Sequence, residues 1–249
     1  MNEHKPDGTE LLSALESIAD EMWDGLRSFE SPVDEAYARA AYVAFYVKAY
    51  RVFRAISLLL RQGLEPEAEM LLRPFFETIV DWWYIETSPV ILGERYILHQ
   101  AAVQLQFWRN RGLTDKVATY VAEYGDTVKD FCSKYNIKRN RPPRNWCGVD
   151  FEQKAKEAGL SNYSRIYGYH SDLLHNSPYL LPKYMDTTSD GHFVLKTQPE
   201  YDNLRPTLSV VCLFFAQCLE KASNTFVPDA RPRVQEIKDK VHLYAADAQ

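Results

Sequence analysis

The chain of 249 residues is poor in glycine, with ten, and holds no long apolar run. Scarce glycine beside sixteen tyrosines argues against a chain of tight β-turns and against disorder. The longest stretch without a charge, Pro206–Leu219, is 14 residues, short of the roughly 20 that a membrane span needs. The opening MNEHKPDGTE has no apolar core and does not read as a secretory signal. Cysteine is sparse too. Cys132, Cys147, Cys212 and Cys218 have neither zinc nor thioredoxin spacing, so we expect buried free thiols in a reducing cytosol. No G-x-G-x-x-G, G-K-[ST] or G-x-S-x-G occurs, and no βαβ alternation, so nucleotide-fold and hydrolase-elbow chemistry has no support. Glu-x-x-His is missing as well, which removes a di-iron bundle. We expect no metal and no cofactor.

What the chain does have is charge unevenly placed. The net charge is −5, and residues 1–30 hold eight acids against Lys5 and Arg27. The remainder is close to neutral, but Lys129, Lys134, Lys138, Arg139, Arg141 and Arg144 stand against Asp130 alone, and this run ends in Trp146. A basic, Pro-broken loop with an aromatic can contact phosphates and stack a base. We therefore name Lys138, Arg139, Arg141, Arg144 and Trp146 as candidate RNA-binding residues; a solvated helix end and loop is the other reading.

Helical periodicity dominates. Ser31-Pro32 with Asp34 reads as a helix start, and Tyr37, Ala41, Phe45, Ala49, Val52, Ile56 and Leu60 keep one face apolar as far as Gly63. Pro66, Ser88-Pro89 and Thr114-Asp115 open three further helices, and Asp150 with Gln153 reads as a capping box for a short one. Ser161 starts the segment SNYSRIYGYHSDLLH. Residues 176–203 break the pattern, and Ser-Asp-Gly at 189–191 suggests a small hairpin. A strong helix through Leu204–Leu219 and a polar tail helix over 231–245 close the chain. The fold class is all-α: an acidic N-terminal segment with a helix over 1–30, then one multi-helix bundle over 31–249.

Two groups of polar residues could carry chemistry. In GLEPEAEMLLRPFFETIVDWWYI, Glu65, Glu69, Arg73, Glu77 and Asp81 recur every fourth residue. Arg73–Glu77 is an i,i+4 pair, open at this stage to three readings: a buried ion pair, a surface ladder or a functional pair. Pro74 must kink or restart this helix, because it cannot donate to the Met70 carbonyl and clashes with it. In the 161–178 segment, His170 lies at the centre of an apolar face with Tyr163, Ile166, Tyr167, Leu173 and Leu174, as a core histidine would. Arg165, Gly168, Asp172 and His175 share the opposite face. Asp172-x-x-His175 is an i,i+3 pair that can orient the imidazole. A histidine that moves protons and an arginine that stabilises phosphorane charge together suit metal-free RNA cleavage.

Gly63-Leu64, Glu67-Ala68, Arg73, Phe76, Glu77, Tyr84 and Ile85, with the later Tyr167, Ser171 and His175, resemble a family of prokaryotic helical proteins known only as a domain of unknown function. That resemblance covers roughly 35–180 and implies a helical bundle. Arg165-Ile-Tyr-Gly-Tyr-His170 also resembles the R-x(4–6)-H mark of the HEPN superfamily of helical nucleases, common in toxin–antitoxin and anti-phage systems. It implies an endoribonuclease with Arg165, His170 or His175, Asp172 and the Arg73–Glu77 pair as catalytic candidates, set at a homodimer seam. The alternative is a non-catalytic helical module, a sensor or antitoxin partner. Expected partners are RNA, a protein and a second copy of the chain, in the cytoplasm and away from membranes.

Overall fold

The computed structural model describes residues 7–27, 36–138, 145–163, 184–190, 192–196 and 204–246. Its helices, in chain order, are α1 (Gly8–Arg27), α2 (Ala36–Arg61), α3 (Glu65–Met70), α4 (Leu72–Glu86), α5 (Pro89–Asn110), α6 (Thr114–Lys134), α7 (Phe151–Glu157), α8 (Arg205–Thr225) and α9 (Arg231–Ala246). They hold more than half of the chain. Strands β1 (Met185–Thr187) and β2 (Phe193–Leu195) pair antiparallel, Met185 opposite Leu195, where the Ser-Asp-Gly turn predicted them. The fold is an all-α bundle with one small hairpin.

The chain divides into two compact units. The first takes residues 1–30, 45–79 and 162–249. There α1 packs on α8 and α9, because Leu11, Leu12, Leu15, Ile18, Ala19 and Met22 recur at helical spacing and are all buried. The acidic segment is thus a core element of this unit, and several of its acids are already matched within it. Glu16 accepts from Ser57 at 2.7 Å and faces Arg61, Asp20 accepts from Tyr50, and Glu21 pairs with Arg233. At the centre Phe215 of α8 stacks on Phe53 with 3.9 Å between ring centres.

The second unit takes residues 31–44 and 80–161. Its frame is the α5–α6 hairpin, closed at its base by Leu98, Ala102 and Leu105 against Val128, Phe131 and Cys132. Gly93 lets α5 meet the first turn of α2: a Cβ there would sit 2.6 Å from the Ala38 backbone. Gly112 ends α5 in the left-handed conformation, φ 66°, that glycine adopts without strain. Asp150 caps α7 by accepting from the Gln153 N–H at 2.8 Å, but Gln153 turns its side chain to Glu157, so the expected capping box is only half formed. All four cysteines are buried free thiols. Among the described residues no helix is long and apolar enough to cross a membrane.

Candidate functional site

The stripe Glu65–Asp81 does not run along one helix. Leu71 separates α3 from α4, and Pro74 becomes the third residue of α4, where a helix needs no backbone donor. The restart turns the stripe inward at several points. Thr207 of α8 donates to Glu65 at 2.8 Å and lies 3.3 Å from Glu69 Oε1; Glu69 and Thr207 are both buried. Arg73 Nε donates to Glu77 Oε1 at 3.2 Å, with the two side chains 25% and 38% exposed. The pair is therefore neither sealed in the core nor free on the surface. Both side chains keep part of their surface open to solvent.

The described start of the histidine-bearing segment packs on the same helix α4 and on α8. The Tyr163 ring meets Phe76 edge-on at 6.1 Å and Phe214 at 4.5 Å, and its hydroxyl donates to Gln217 of α8 at 2.5 Å. Burial pushes the Tyr163 phenol far above its ordinary value, so it stays a neutral donor. Phe76, which Tyr163 packs on, belongs to α4, the helix that also carries Arg73 and Glu77.

Of the sequence-predicted residues, Arg73 and Glu77 are brought together. Arg165, His170, Asp172 and His175 lie outside the described residues, as do Arg139, Arg141 and Arg144. Lys138 is exposed just beyond α6. Trp146 needs correction as a stacking platform. It is 6% exposed, with Tyr96 edge-on at 5.3 Å, Tyr84 at 5.8 Å and the Lys154 ammonium 5.9 Å from its centre. A basic neighbourhood pointed to the surface, but the large indole finds its apolar contacts inside the second unit.

Around that indole is a polar pairing the sequence did not single out, although Asp81 itself belongs to the stripe noted above. Lys154 of α7 donates to Asp81 at 2.5 Å, with side chains only 11% and 17% exposed. Burial, then the Asp81 carboxylate, pushes the Tyr96 phenol up to about 12. Burial likewise raises the Cys147 thiol, which donates to Asn145 Oδ1 at 3.0 Å and is no ready nucleophile. The cluster is built to hold α7 in place. Its partners are 73 residues apart, as Tyr163 and Gln217 are 54 apart and Glu65 and Thr207 142, so no local spacing announces them. Among the described residues no group of three or more His, Cys, Asp or Glu side chains could hold a metal ion.

No curated protein matches the chain, and no solved structure does. A family model does, over residues 39–193, which reach from α2 through the second unit to the hairpin and include Arg73, Glu77 and the whole histidine-bearing segment. The chain belongs to that family, a family of unknown function designated DUF5677.

Proposed function

We propose that the protein is an HEPN-like, metal-independent endoribonuclease of prokaryotic stress or anti-phage defence, acting as a homo-oligomer. The observation that supports the reading is the packing of Tyr163, the last described residue before the Arg165–His175 segment, on Phe76 of the helix that carries the Arg73–Glu77 pair. In this reading His170 or His175 takes the proton from an RNA 2′-hydroxyl. The 2′-oxygen attacks phosphorus, the bond to the 5′-oxygen breaks, and a protonated group supplies the leaving oxygen's proton. Arg165 and Arg73 stabilise the charge on the phosphorane, Asp172 orients His175, and Glu77 holds Arg73 in place.

The test is cleavage of a labelled RNA by wild type and by His170→Ala and His175→Ala, with melting temperatures measured alongside. Loss of the proton-transfer group lowers the rate by about 10²–10⁴. The products are a 2′,3′-cyclic phosphate and a 5′-hydroxyl. If His170 is a core histidine instead, its truncation lowers the melting temperature and leaves the chemistry in place. The second reading, a non-catalytic interaction module, is favoured by a different feature: the exposed aliphatic tip of the α5–α6 hairpin.

A further inference from the structure

Two buried N–H groups of the second unit, Arg95 Nε on α5 and Trp146 Nε1, have no acceptor among the described residues. A buried donor without a partner costs free energy, and one on a charged group costs more. The Tyr135 ring, 5.3 Å from the Arg95 guanidinium, gives that charge a π face but not the acceptor oxygens its fork is shaped for. The nearby acids are already engaged. Glu94 takes Lys134 and the Tyr135 hydroxyl, Asp81 takes Lys154, and the exposed Glu157 accepts from Gln153 and Tyr84. Among the described residues no carboxylate stands within ion-pair distance of Arg95.

The two donors share neighbours. Tyr84 packs on Trp146 with 5.8 Å between ring centres. Burial raises the Tyr84 phenol and the Cys147 thiol, and the Arg95 charge is close enough to oppose the rise in both. Arg95 Nη2 lies 3.4 Å from the position a Gly148 Cβ would take. Gly148 is exposed and puts no side chain over that nitrogen. Asn145 fixes the loop that carries Trp146 and Gly148: its amide donates to the Val149 carbonyl, and its Oδ1 accepts from the Cys147 N–H at 3.1 Å. The donors are thus held in place before any ligand arrives. The sequence leading into the loop adds to the charge, since Lys138 to Val149 holds four cations and no acid.

We propose that Arg95 and Trp146 Nε1 form a binding site for a phosphate group, the guanidinium holding two of its oxygens and the indole N–H another. A carboxylate has only the two oxygens that the fork itself satisfies, whereas a phosphate keeps a further one for the indole and carries the higher charge. A small phosphorylated molecule and an RNA backbone present the same oxygens. The site uses neither the Arg73–Glu77 pair nor the histidine-bearing segment, so it stands or falls apart from the nuclease reading.

The experiment is isothermal titration calorimetry of the full chain with inorganic phosphate and with acetate, at ionic strength matched by chloride, with melting temperatures measured alongside. The expected result is that phosphate binds and raises the melting temperature, while acetate binds about tenfold more weakly or less. Arg95→Gln weakens phosphate binding about tenfold or more, and Trp146→Phe about fivefold. In phosphate-free buffer Arg95→Gln melts no lower than wild type, because it removes a charge that had no partner; an arginine kept for structure gives the opposite. A labelled RNA oligonucleotide followed by anisotropy distinguishes the sources. Displacement of the RNA by phosphate, with weaker binding in Arg95→Gln, assigns the site to an RNA backbone; phosphate binding without RNA binding assigns it to a small phosphorylated molecule. No phosphate binding, equal binding of acetate, unchanged affinity in Arg95→Gln, or a lowered melting temperature of that variant in phosphate-free buffer overturns the proposal.

Discussion

Asp81 and Lys154 meet in surroundings where each charge depends on the other. Side chains exposed by 17% and 11% leave little water to take over if one is removed. Asp81→Ala is therefore expected to cost about 3–5 kcal/mol by urea unfolding, while the double exchange Asp81→Leu/Lys154→Met recovers most of it. Arg73→Ala is the contrasting case. Its pair with Glu77 keeps 25% and 38% exposure, so solvent screening limits the loss to about 1 kcal/mol. A loss there as large as for Asp81 would show that the pair is sealed from water. Tyr50 gives the pH dependence. Burial, reinforced by the bond to Asp20, raises its phenol from 10.0 to about 12. The neutral form is favoured in the folded state, so this contribution is complete below pH 10 and lost as pH rises through about 12. Urea midpoints should fall between those values for wild type and fall less for Tyr50→Phe. Equal slopes would contradict the assignment.

The close approach of α5 to α2 depends on Gly93. A Cβ there would stand 2.6 Å from the Ala38 backbone, and backbone cannot move aside as a flexible side chain can. Gly93→Ala should destabilise by about 1–3 kcal/mol in chemical denaturation, despite alanine's better helix propensity. An unchanged or raised midpoint would mean that the contact yields. At this scale the elements were largely legible. Pro89 and Gly112 bound α5, Asp150 caps α7, the Ser-Asp-Gly turn marks the hairpin, and Pro74 marks the break between α3 and α4. Each is a local signal written in neighbouring residues. Partner choice was not legible, because it is settled by packing across long separations. The i,i+4 spacing foretold Arg73–Glu77, whereas nothing near Lys154 foretold Asp81, 73 residues away. Trp146 was misread for the same reason: its sequence neighbours are basic and polar, but the Tyr84 and Tyr96 rings that cover it come from α4 and α5.

At the scale of the whole molecule, two units offer different surfaces. The first holds the part-exposed Arg73–Glu77 pair on the helix whose Phe76 packs against Tyr163, and the second a groove on a helical hairpin lined by Arg109, Leu113, Val117 and Val121. The apolar face of the acidic helix α1 is buried on α8 and α9. The most direct measurement is incubation of the purified full chain with labelled RNA in excess EDTA, followed by analysis of the product ends, with the His170→Ala/His175→Ala double variant in parallel. The account predicts cleavage that EDTA leaves unchanged, ends carrying a 2′,3′-cyclic phosphate, and a double variant slowed by about 10²–10⁴ at an unchanged fold. Cleavage that survives in the double variant, cleavage that EDTA abolishes, or intact RNA with wild type would contradict it.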